Sequence, residues 1–277
     1  MPTPRALEHA VQLKPDYVTA HWALTQIALW KGDPEEALKI INPVAEKLMD
    51  KHPETLNIRG DVYRDLGRLE EAAADYRSLI ALKPELVETY VSLALVYEKQ
   101  NKPELAKECF EKLVAATPNS AIAYMRRAAY RRSHGEFESA REDCVRARAK
   151  DPKSLLPGMV EANILAAQGS AEEAVDKTEK LLAQAPKGDG QILYTAACTL
   201  SLASRAAATL PDKEKAAELA KQYARRAAEL LAECLDKGFH DLSYPEHNRM
   251  IDDPALEPVR KSPRIRDLLM HRQSISG

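Results

Sequence analysis

Pro53–Pro84 reads PETLNIRGDVYRDLGRLEEAAADYRSLIALKP. Gly67 breaks it into two segments, each with helix-forming residues and apolar positions at helical spacing. Gly60 and Tyr63 lie three residues apart on the first segment, and Ala72 and Tyr76 four apart on the second. A small residue on each helix lets the two approach closely, and larger apolar residues then fill the space toward the next pair. Gly67 permits the tight turn between them, and Pro84 stops the second helix.

The same punctuation recurs along the chain. Ala72, Ala106, Ala140 and Ala174 are spaced by 34 residues, and so are Pro84, Pro118, Pro152 and Pro186. Between them, Leu93, Ala94, Tyr97, Phe110 and Leu113 mark the next unit. Ala128, Gly135, Cys144 and Ala147 mark the one after, and Ala162, Gly169 and Leu181 the last regular one. A 34-residue period with this pattern resembles the tetratricopeptide repeat (TPR). The resemblance implies an all-α fold: a right-handed TPR superhelix, an α-α hairpin solenoid of roughly twelve or more helices and no sheet.

Working outward, residues 1–188 divide as a half repeat at 1–16 and repeats at 17–52, 53–86, 87–120, 121–154 and 155–188. Ala37 to Ala72 is 35 residues, and Pro53 comes late, so the second helix of the 17–52 repeat is expected to run one turn long, from Pro34 to about Lys51. From Ala174 to Ala227 is 53 residues, so 189–240 is expected to form an elongated final hairpin around Leu210-Pro211-Asp212. Residues 241–277 are expected to form a short helical C-terminal cap and tail. The run from Asp253 to Leu269 resembles the tail that closes TPR arrays in some bacterial multidomain signalling proteins, protein kinases among them. That likeness implies a segment of a larger signalling protein, used for regulation or self-association.

Composition narrows the function. Forty Lys and Arg against 42 Asp and Glu leave a net charge of −2, which supplies no global field for nucleic acid or an anionic membrane. No run of about 18 apolar residues is present, and MPTPRALEHAVQLKPD lacks the apolar core of a signal peptide, so a cytoplasmic protein without membrane insertion is expected. Cys109, Cys144, Cys198 and Cys234 lie at least 35 residues apart with no CxxC pair, which suits small buried hydrophobes in a reducing compartment.

Motifs for nucleotide binding, zinc hydrolysis, acyl transfer and protein phosphorylation are absent. The polar cluster His240, Asp241, Glu246, His247, Asp252 and Asp253 has no fixed ligand spacing. Asp253-Pro254 reads as a helix start, and His240-Asp241 follows the Gly238 cap. No catalytic residue, metal or cofactor is therefore expected, and the chain reads as a scaffold or adaptor for a protein or peptide partner. A small-molecule or catalytic site in the final hairpin would need a deep pocket around Tyr194, Cys198 and Tyr223.

In the TPR family the first helix of each pair lines the concave groove that holds extended peptides. Carried over by register, the groove residues are Trp22, Gln26 and Trp30, then Asn57 and Asp61, then Met125, Arg126 and Arg132, then Met159 and Asn163. The family's carboxylate clamp is not supported: Asn57 and Arg126 fall on groove positions, but in separated units and without the lysines. Two alternatives stay open. Trp22 and Trp30 form a peptide pocket, or they pack on the N-terminal helix or a neighbouring unit, with self-association through that end as a further outcome. Arg126 and Arg132 hold an acidic or phosphorylated group, or they sit on a solvated face paired with Glu136, Glu138 and Glu142.

Overall fold

A computed structural model of the chain describes residues 3–236. Among them are thirteen α-helices and no strand. They form two compact units divided between Pro118 and Asn119. The first unit holds α1 (Pro4–Leu13), α2 (Val18–Trp30), α3 (Pro34–Leu48), α4 (Glu54–Asp65), α5 (Leu69–Leu82), α6 (Val87–Lys99) and α7 (Pro103–Ala116). The second holds α8 (Ala121–Ser133), α9 (Phe137–Lys150), α10 (Leu156–Ala167), α11 (Ala171–Leu182), α12 (Gly190–Ala207) and α13 (Lys213–Asp236).

Local chemistry sets these boundaries. Pro opens α1, α3 and α7, where a missing N–H costs nothing. The Asp33 carboxylate accepts the Glu36 N–H at 2.9 Å and caps α3, and Asp189 accepts the N–H groups of Gln191 and Ile192 at 3.1 Å to cap α12. The turn inside each of the five regular hairpins carries one residue in the left-handed region. Glycine fills four of these positions, and Asn101, at φ 58°, fills the fifth.

Within each unit successive helices pack on one another, and first helices of adjacent hairpins also touch, as α2 with α4 and α10 with α12. The repeated alanines explain how. Ala37, Ala72, Ala106, Ala140, Ala174 and Ala227 are all fully buried. On the first helices, Ala94, Ala128, Ala162 and Ala197 are buried as well. Facing them the filler varies: Phe110, Cys144 and Thr178 stand at positions corresponding to Tyr76.

The 53–86 hairpin solves the same contact with the smallest and largest members of the set. A Cβ on Gly60 would lie 2.7 Å from Tyr76 Cε1. The ring has little freedom to retreat, because its hydroxyl donates to Asp61 Oδ1 at 2.7 Å. Gly60→Ala is therefore expected to destabilise the protein. Overpacking strain of about 1–3 kcal/mol outweighs the up to ~1 kcal/mol that alanine returns as a helix former. A thermal melt checks the sign; a rise in Tm would mean that the Gly60–Tyr76 contact is looser than described.

Two features differ from, or extend, the sequence reading. Helix α3 has 15 residues against 14 in α5, α7 and α9, so the long repeat carries one extra helical residue rather than an extra turn. The chain turns at Leu48, whose carbonyl accepts from Lys51 and His52, and Pro43 already removes one bond from the helix interior. The final hairpin is elongated, with 18 residues in α12 and 24 in α13. Residues 237–277, which hold the expected cap and tail and the His240–Asp253 polar cluster, lie outside the described residues.

Candidate functional site

The predicted groove residues meet different fates. On α2 both tryptophans face solvent, Trp22 47% exposed and Trp30 61%, with Gln26 half-buried one turn from each. On α4, Asn57 donates to Asp61 Oδ2 at 3.3 Å, and Asp61 also accepts from Tyr76 and pairs with Arg64 at 3.1 Å. Burial pushes the Asp61 pKa up and Asp65 adds to this, outweighing the opposing pull of Arg64 and the Tyr76 hydroxyl. Asp65, one turn further on, is half-exposed and only 3.9 Å from Arg64 Nε.

In the second unit two of the expected groove residues are core residues instead. Met159 is 0% exposed and belongs to a cluster with Ile192, Ala196, Leu200 and Leu231. Asn163 is 8% exposed, and its Nδ2 donates to Thr199 Oγ1 at 3.4 Å. Both corrections have one cause: the long α12 packs on α10 and covers that face. Met125 remains half-buried on α8.

The arginines divide. Asp143, fully buried on α9, accepts two bonds from Arg127, at 2.9 Å from Nε and 2.7 Å from Nη2, and a third from Arg131 Nη1 at 2.8 Å. Arg126 and Arg132 are half-buried and also engaged with other groups. The glutamates named for this face pair with other arginines: Glu136 with Arg131 at 4.0 Å, Glu138 with Arg141 and Glu142 with Arg146. The dominant acceptor, Asp143, was missed.

A regular signal could have found it. Arg127 and Asp143 are 16 residues apart, one on each helix of a hairpin. The corresponding pairs are Arg59 and Asp75, Leu93 and Cys109, and Glu161 and Lys177. Arg59 holds Asp75 through two bonds of 2.7 Å, and Lys177 Nζ lies 2.6 Å from Glu161 with the charges reversed. The position takes any complementary pair, ionic in either sense or apolar.

Burial pushes the Glu161 carboxyl up, but bonds and charges from Lys177 and Arg148 outweigh this and leave its pKa below the ordinary value. A lowered folded-state pKa contributes stability that is present above the unfolded value, about 4.3, and lost as pH falls through the folded one. Wild type is thus expected to lose Tm more steeply than Glu161→Gln between pH ~5 and ~3. Identical acid profiles would remove Glu161 from the stability of this hairpin.

No group of three or more His, Cys, Asp or Glu able to hold a metal ion occurs among the described residues. Nor is any helix among them long and apolar enough to cross a membrane. The four cysteines are free and buried, and burial pushes the Cys109 and Cys144 thiols up to about 12. Tyr194, Cys198 and Tyr223 are buried in packed clusters. A cavity of about 180 Å³ lies between the α11–α12 turn and α13, lined by Pro186, Ile192, Arg226 and Leu230 among others. None of the three lines it.

Residues 60–101 match the family described as TPR repeat, and 91–154 match the one described as tetratricopeptide repeat. Together these matches cover residues 60–154. The likeness of fold extends further. A crystal structure of a tetratricopeptide repeat protein from Parabacteroides merdae ATCC 43184 superposes with a TM-score of 0.58 at 18% identity, over 92% of this chain and 90% of that one. Yeast Tom70 superposes with the same TM-score at 17% identity, over 84% of this chain and 53% of its own. The all-helical architecture is thus that of TPR solenoids. No curated protein sequence matches the chain.

Proposed function

We propose that the chain is a protein-interaction module, a cytoplasmic scaffold or adaptor rather than an enzyme. In this reading it holds an extended segment of a partner on the first-helix face of its first unit. The observation that carries this is the pair of solvent-facing tryptophans. They are the chain's only two, and both stand on α2, two turns apart, with the polar side chains of α4 alongside. Tryptophan is among the side chains most enriched in binding hot spots, and two exposed on one helix offer large apolar surface for a partner to cover.

The second unit fits the role less well. With Met159 and Asn163 in the core, a groove there would rest on Met125, Arg126 and Arg132 alone. Capture of partners from a lysate of the source cells, compared across variants, tests the reading. Trp22→Ala with Trp30→Ala is expected to lose the captured proteins while Tm stays near wild type, since both side chains are largely outside the core. Arg126→Glu with Arg132→Glu is expected to keep them. The reverse result would move the site to the second unit.

A further inference from the structure

The surroundings of the two tryptophans carry a charge preference. The offset of 35 residues that relates Gly32 to Gly67 and Ala37 to Ala72 also relates Trp22 to Asn57, Gln26 to Asp61 and Trp30 to Asp65. Because α2 packs on α4, this register sets the paired positions side by side on the two helices. Trp30 and Asp65 are the last residues of their helices. Two helix C-termini, each the negative end of a dipole, therefore meet beside a half-exposed carboxylate.

Two carboxylates at this end face one guanidinium, with the exposed Lys31, next to Trp30, as the nearest cation on α2 itself. Asp61 and Asp65 share one buried guanidinium, Arg64, at 3.1 and 3.9 Å. Lys99, at the corresponding position of α6, is exposed and forms no ion pair with either. At the other end of the ridge, Trp22 stands beside Asn57, which is uncharged and already bonded to Asp61. The ridge is thus apolar and without a carboxylate at Trp22, and apolar with a half-exposed carboxylate in register at Trp30.

We propose that this ridge takes an extended peptide carrying one bulky apolar residue, seated at Trp22, and one Lys or Arg, seated between the Trp30 ring and the Asp65 carboxylate. The indole face attracts the cation and covers its aliphatic stem, and the carboxylate fixes the head group. The tryptophans are two helical turns apart, roughly 12 Å along the axis, which an extended chain spans in roughly four residues. The apolar and basic residues are therefore separated by about that number. This inference rests on the first-unit reading of the groove and adds the chemistry of its partner.

The test is selection of a random peptide library, displayed on phage, against the full chain at low salt. Affinities of the enriched peptides are then measured for wild type and for Trp22→Ala, Trp30→Ala and Asp65→Lys. Expected are peptides with a Lys or Arg near an apolar residue, weakened at least ~10-fold by Trp30→Ala and by Asp65→Lys, with Tm unchanged. Enriched acidic peptides that still depend on both tryptophans would overturn the partner chemistry and leave the site standing. Enriched peptides indifferent to both tryptophans would overturn the site as well, and so would no enrichment. Sedimentation of the chain alone across concentrations supplies the last arm. A dimer that Trp22→Ala dissociates would mean that a second copy covers the ridge, against the proposal.

Discussion

Asp143→Ala is expected to destabilise the protein by about 3–5 kcal/mol, the largest effect of any single polar substitution in the second unit. The carboxylate is fully buried and accepts charge-assisted bonds from Arg127 and Arg131, and Arg127 is itself buried. Removing the anion takes the charge-assisted bonds from a buried guanidinium, so much of the loss is a desolvation penalty rather than the net worth of the pair. The repeat supplies the control. Leu93 and Cys109, both buried, occupy the corresponding positions in the first unit. Arg127→Leu combined with Asp143→Cys is therefore expected to recover more than half of the loss, although Arg131 is left with weaker partners. Chemical denaturation of the single and double variants measures this. A double variant as unstable as Asp143→Ala would mean that the position requires an ion pair.

Ala106→Glu is expected to lose at least ~3 kcal/mol. Ala106 is fully buried on α7, so the longer side chain forces the helices apart and the carboxylate has no partner. Ala115, on the exposed side of the same helix, is the control, and glutamate there is expected to shift stability by no more than about 0.5 kcal/mol. If Ala106→Glu melts within a degree or two of wild type, the register of the hairpins is wrong.

These two residues also mark what could be read from the sequence. Ala106 announces itself, because a close helix crossing admits only a small side chain and the crossing recurs every 34 residues. The left-handed turn residues are legible for the same reason, with Asn101 standing in once for glycine. Asp143 was hidden because its position constrains a pair rather than a residue type. Arg with Asp, Leu with Cys, and Glu with Lys all satisfy it, so no single column of the repeat betrays it.

Met159 shows a different limit. Its register matches Met125, and periodicity fixes which face of the helix it occupies. It does not say what covers that face, and here α12 packs on it. Register puts Arg126 and Arg132 on the groove face but says nothing of what holds their neighbours Arg127 and Arg131, which belong to the interior of their hairpin. For Trp22 and Trp30 the sequence left a peptide pocket and packing against a neighbour open; both side chains are exposed in the structure.

The most direct test of the account is site-specific photocrosslinking in the cells of origin, with a photoreactive side chain at Gln26, between the tryptophans on α2, or at Ser78, exposed on α5. The account expects discrete protein adducts from Gln26 that disappear when Trp22 and Trp30 are replaced by alanine, and none of comparable yield from Ser78. Adducts from Ser78 but not from Gln26 would contradict it.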